Sequence, residues 1–227
     1  MTLVLLWDID GTLLTTGRAG IFAWEEAAAS ILGHPVDLAT LDTAGLTDIE
    51  IGAGICDRMQ RDTTRLLDLV RAYEAALPRC LPRRHGSVLP GVRELLDWLR
   101  TRGDVMSLLL TGNTAAGARA KLSHYGLADY FRWGAFSDGA PDRPAIARHA
   151  LELIRALTGA DPVLDRTYVI GDTPRDIRCA QAIGARAVAV ASGTYSAEEL
   201  ERHRPWWVVE RLPGPETFLE RLHGSAP

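Results

Sequence analysis

Hydrophobic positions along the chain follow two alternating rhythms. Five short apolar runs, Leu3–Trp7, Val105–Leu110, Thr167–Ile170, Ala187–Ala191 and Trp207–Val209, lack the polar alternation of a half-exposed sheet. Strands covered on both faces read this way. Helical patterns lie between them. Pro90–Arg102 opens with Pro at a first-turn position and ends at Gly103, and Thr114–Tyr125 ends at Gly126. Pro144–Leu157 stops before Gly159, and Pro174–Ile183 is closed by Gly184. These are ordinary start and stop signals. The alternation predicts an α/β fold, a doubly wound parallel sheet in three layers.

One stretch breaks the rhythm. From about Thr15 to His85 the pattern holds no convincing buried strand, only helical segments at Gly20–Leu32, Asp48–Met59 and Thr63–Leu77, then the turn-rich Pro78–Pro82. The division expected is a sheet domain made of residues 1–14 and 86–227, with residues 15–85 inserted as an all-helical lid.

Composition narrows the class. With 227 residues, 47% hydrophobic and 24% charged, the chain is an ordinary globular one. Its formal charge of −4 argues against a broad phosphate-backbone footprint, so no nucleic-acid partner is expected. Cys56, Cys80 and Cys179 are widely spaced with no CxxC pair, which excludes a disulfide framework or structural zinc site and suits a reducing compartment. No apolar run is long enough to span a bilayer, so the expectation is a soluble, cytoplasmic protein with no membrane partner. The pattern specifies no oligomeric state. Lys121 is the single lysine among 25 basic residues.

The chemistry gathers at the strand ends, where open parallel sheets bind ligands. The first strand delivers Asp8, Asp10 and Gly11; the second Thr111, Gly112 and Asn113; the third Gly171, Asp172 and then Asp176. Asp8, Asp10 and Asp172 offer hard oxygen ligands that suit Mg²⁺, and no His or Cys stands near them to make a zinc centre. Gly11 allows a sharp turn, while Thr111, Gly112 and Asn113 can aim a hydroxyl and backbone amides at an anion. Carboxylates, a divalent cation and anion donors together fit phosphoryl transfer.

DIDGTLL at 8–14, LLLTGN at 108–113 and VIGDTPRDI at 169–177 resemble motifs one, two and four of the haloacid dehalogenase superfamily of phosphohydrolases. The pattern is most similar to phosphoglycolate-phosphatase-like members, whose helical cap lies between motifs one and two. The resemblance implies a Rossmann-like catalytic core. It makes Asp8 the nucleophile that forms an aspartyl-phosphate. Asp10 becomes the acid for the leaving oxygen and then the base for water, its main-chain carbonyl on Mg²⁺. Thr111 and the amides of Gly112 and Asn113 would bind the phosphoryl group, Asp172 would be a metal ligand, and Asp176 would stand behind it or act through water. Motif three departs from the family, which usually places a lysine there. Arg143, followed by Pro144 at a helix start, takes the role, binding the substrate phosphate and balancing the nucleophile. Lys121, inside the preceding helix, reads as a solvated helix lysine.

Asp10 supplies an acid for an ester oxygen, which favours a Mg²⁺-dependent phosphomonoester hydrolase over a dehalogenase or phosphonatase. The substrate class expected is a small-molecule phosphate ester. A phosphomutase of the same fold is the alternative, and a catalytically silent regulatory or binding protein is the alternative from another class. In the cap, Arg18 reads first as a solvated helix-start residue, with reach toward an anionic leaving group as its second reading. Thr47 and Asp48 read as helix caps that could also face the crevice.

Overall fold

The computed structural model describes residues 2–38, 41, 43–60, 63–138, 140 and 142–224. The main sheet has six strands: β1 (Leu3–Trp7), β4 (Val105–Leu110), β5 (Gly134–Ala135), β6 (Thr167–Gly171), β7 (Arg186–Val190) and β8 (Trp207–Val209). Their order is β5-β4-β1-β6-β7-β8, and every pairing is parallel. Every residue of β1 and β6 is buried, as unbroken apolar runs require.

Side chains alternate between two helical layers. Leu3, Leu5 and Trp7 of β1 face a cluster containing Val92, Leu95, Leu122 and Phe218, from helices α4 (Val92–Leu99), α5 (Ala115–His124) and α9 (Pro215–His223). Val4 and Leu6 face Ile146, Ile154, Ile177 and Leu200, from α6 (Arg143–Thr158), α7 (Pro174–Ala182) and α8 (Ala197–Glu201). The sheet is therefore doubly wound, as the rhythm of the sequence predicts. Trp7 pairs with Leu109 on one side and Ile170 on the other, so the segments leaving β1, β4 and β6 emerge side by side.

The insertion consists of α1 (Ala19–Leu32), α2 (Asp48–Arg58) and α3 (Leu66–Cys80), which close around a hydrophobic cluster of their own. Ala19, Ala23, Ala27 and Ala28 keep one face of α1 shallow, and Trp24 stacks on Tyr73 of α3 at 4.1 Å between ring centroids. A short antiparallel pair joins insertion to core: β2 (Leu14–Thr15) against β3 (Ser87–Val88).

Several boundaries move. The helix expected over Pro90–Arg102 is confined to Val92–Leu99, because Gly91 holds a left-handed φ of 80° before it and Pro90 lies outside. The helix expected over Thr63–Leu77 begins at Leu66 after a 3₁₀ turn, Thr63–Arg65, and runs through Pro78 to Cys80. Proline is tolerated there because only one carbonyl near the helix end loses its donor. No helix among the described residues is long and apolar enough to cross a membrane.

Candidate active site

Asp8 is the first residue beyond β1 and is almost wholly buried. Its Oδ2 accepts from Arg143 Nη2 at 3.2 Å, while Oδ1 has no hydrogen-bond partner among the described residues. Burial pushes the carboxyl up to about 6; Arg143 opposes that shift, and the charges of Asp176 and Asp10 reinforce it. Asp172, beyond β6, is gripped by backbone: a Cβ on Gly11 or Gly193 would overlap its carboxylate, and Gly11 also needs its left-handed φ of 79°. Thr12 Oγ1 donates to Asp172 Oδ1 at 3.3 Å. Burial first, then Asp176 and Asp8, raise the Asp172 carboxyl to about 8.

Asp176 sits in the first turn of α7. It closes a capping box with Thr173, whose Oγ1 donates to Asp176 Oδ2 at 2.6 Å. Its other oxygen is ion-paired with Arg143. Oxygens of Asp8, Asp172 and Asp176 all lie within 4.8 Å of one another. Such crowding of buried negative charge, with Asp8 Oδ1 unpartnered, fits a hard divalent cation with oxygen ligands. Asp176 joins the expected Asp8 and Asp172 in this group, while the Asp10 carboxylate is engaged elsewhere, which leaves the Asp10 main-chain carbonyl as the ligand expected of that residue.

Lys121 is what engages it. Its Nζ donates to Asp10 Oδ2 and to Asn113 Oδ1, both at 2.6 Å. The expectation of a solvated helix lysine is corrected here: Lys121 is only 5% exposed. The inward face of α5 carries Gly117, Ala118, Lys121 and Leu122, so the lysine stem is buried and its ammonium meets carboxylates. Burial alone would pull its pKa down, yet Asp10 and Asp48 together hold it above the ordinary lysine value. In sequence, its one distinguishing mark is that no other lysine exists in an arginine-rich chain.

Asn113 Nδ2 bridges Asp10 Oδ2 at 2.9 Å and Thr111 Oγ1 at 2.8 Å. Thr111 is fully buried and stands behind the cavity wall, whereas Gly112 and Asn113 are on it. Arg143, the residue assigned to motif three, is buried and joins Asp8 to Asp176; the two carboxylates outweigh burial and keep it firmly charged.

From the insertion, Thr47 caps α2 in a capping box with Glu50, at 3.0 and 2.7 Å. Asp48 is buried and spans the junction: its N–H donates to the Gly112 carbonyl at 2.7 Å, and its Oδ2 accepts from the Thr114 N–H at 2.8 Å. Burial raises its carboxyl to about 6, against the pull of Lys121. Arg18 is exposed, with a left-handed φ of 69°. A cavity of about 420 Å³ is walled by Asp8, Asp10, Lys121, Arg143 and Asp172 from the core, and by Arg18 and Asp48 from the insertion.

Known proteins share this arrangement of chain. "Probable phosphatase IndB" of Dickeya dadantii is 30% identical over 211 residues, covering 91% of this chain and 89% of its own. A phosphoglycolate phosphatase of Synechococcus elongatus is 30% identical over 210 residues, covering 91% and 92%. The crystal structure of a predicted phosphatase from Clostridium acetobutylicum superposes with a TM-score of 0.74 at 19% identity, covering 98% of this chain and 99% of that one. The profile of the haloacid dehalogenase-like hydrolases matches residues 5–181, a span that includes the buried carboxylates, Lys121 and Arg143, and the chain belongs to that family.

Proposed function

We propose that this hydrolase is a Mg²⁺-dependent phosphomonoester hydrolase that works through an aspartyl-phosphate on Asp8. The observation that carries the reading is the state of the Asp8 carboxylate: Arg143 holds Oδ2, and Oδ1 is left unpartnered in a cavity that Asp10 also lines. Asp8 Oδ1 attacks phosphorus as the bond to the ester oxygen breaks, and Asp10 gives its proton to that departing oxygen. Asp10 then takes a proton from water, whose oxygen displaces Asp8 from phosphorus and yields inorganic phosphate. Lys121 and Asn113 hold Asp10 in place between these two transfers.

Asp8, Asp172 and Asp176, with the main-chain carbonyl of Asp10, are the groups that would hold the ion, which supplies charge neutralisation for the transferring phosphoryl group. The Gly112 amide is the donor suited to the phosphoryl oxygens, joined by the Asn113 N–H once that exchanges its 3.3 Å bond to Thr111 Oγ1 for the substrate, while Thr111 and Asp10 hold the Asn113 side chain. The insertion serves as a lid, docked to the core through Asp48.

The test is release of inorganic phosphate from an aryl phosphate with and without Mg²⁺. Activity is expected only with the metal, and Asp8→Asn is expected to lower kcat by at least about a thousandfold. Activity that survives this substitution removes Asp8 from the nucleophile's role. Isomerised sugar phosphate without net phosphate release marks a phosphomutase instead.

A further inference from the structure

The cavity has two chemically distinct halves. Among the described residues, those contributed by the core carry only acidic, basic, amide or hydroxyl side chains or are glycine, as at Asp8, Asp10, Asn113, Lys121, Arg143 and Ser192. The insertion also contributes polar groups, Arg18, Asp48, Thr15, Thr16 and Thr43, but it alone brings large apolar or aromatic side chains to the wall: Ile21, Trp24, Leu46, Ile51 and Tyr73. Trp24 and Tyr73 are locked in parallel stack, with an interplanar angle of 4°, so this end is rigid as well as apolar.

The charges near that end are already matched. The carboxylate of Asp48 accepts from Thr114, and Lys121 is paired with Asp10 at 2.6 Å. Arg143 is paired with both Asp8 and Asp176. Arg18 is an exposed residue that also lines a separate surface groove beside Phe22 and Arg84. A carboxylate on the leaving group that seats against Ile21, Trp24, Leu46, Ile51 and Tyr73 would leave water for apolar side chains, an expensive transfer. An apolar body would gain there. A cavity of about 420 Å³ is also in the range that takes ligands well beyond a few heavy atoms.

We propose, on the footing of the phosphatase reading above, that the substrate is the phosphate ester of an uncharged, predominantly apolar primary or aryl alcohol, whose hydrocarbon part fills the half of the cavity built by Ile21, Trp24, Leu46, Ile51 and Tyr73. The core half recognises phosphate alone, and the insertion half selects the leaving group by burial. Short anionic leaving groups, glycolate among them, are disfavoured.

The test compares substrates whose leaving groups are all primary alkoxides, so that intrinsic reactivity changes little. With the full chain and Mg²⁺, kcat/KM is measured for methyl, ethyl, propyl, butyl and benzyl phosphate and for 2-phosphoglycolate. The expected result is a rise of about threefold to fourfold per added methylene, with benzyl phosphate at least about tenfold above 2-phosphoglycolate. Ile21→Ala and Ile51→Ala flatten the rise by removing part of the wall. A flat or falling series, or 2-phosphoglycolate used as well as benzyl phosphate, overturns the apolar leaving group while leaving the phosphatase standing. Phosphate release from none of these esters overturns both.

Discussion

At the scale of the residue, the site is a matter of which cation faces which carboxylate. Arg143 joins Asp8 to Asp176, and Lys121 joins Asp10 to Asn113, so the proposed nucleophile and the proposed proton carrier each have their own partner. Lys121→Met is expected to lower kcat on the order of a hundredfold, by freeing Asp10 from its position. It should also lower stability by about 2 kcal/mol in urea unfolding, less than for a fully buried pair because the Asp10 side chain is 43% exposed. The carboxylates could be read from the sequence because each follows an apolar run at the same end of a parallel sheet. Lys121 could not. Its role depends on which face of α5 turns inward, and the helix has too few large apolar residues to announce that face. Asp176 was legible only as a carboxylate behind Asp172; its capping box with Thr173 and its place within 4.8 Å of two other carboxylates arise from the fold.

At the scale of the element, the loops after the strands do as much as the strands. The turns carrying Gly11 and Gly193 press backbone against Asp172, where no side chain would fit. Gly193→Ala is expected to raise the Mg²⁺ concentration for half-maximal activity about tenfold, as displaced support around a ligand does, read from a metal titration of phosphate release. The long buried strands and the helices between them were visible in the apolar rhythm. The paired strands Leu14–Thr15 and Ser87–Val88, and the edge strand Gly134–Ala135, were not, since two residues carry no period. Likewise Pro78 looked like a helix end in sequence, yet α3 absorbs it in its last turn.

At the scale of the whole molecule, the concentration of buried acid sets how stability responds to pH and metal. Asp8 and Asp48, raised to about 6, and Asp172, raised to about 8, hold their protons more tightly when folded than at the ordinary aspartate value of 3.8. The folded state therefore binds more protons than the unfolded chain between these values. Their contribution to stability is full below about pH 4 and is lost as pH rises through 6 and then 8. The metal-free protein is expected to melt at a lower temperature at pH 8.5 than at pH 5. Mg²⁺ should restore the difference, with a larger upward shift at pH 8.5, because protons no longer compete for the ligands. Thermal melts with and without the metal across this range check both statements; a metal effect larger at pH 5 would refute them.

The solitary lysine has a practical corollary. Since Lys121 is the chain's only side-chain amine and is 5% exposed with two partners, amine-directed reagents find one ε-amino target, and that target lines the cavity shared by Asp8, Asp10 and Asp172. Acylation of this single nitrogen, followed over time by mass spectrometry, would act as a clock for how often the proposed lid lifts, and bound ligand would slow it.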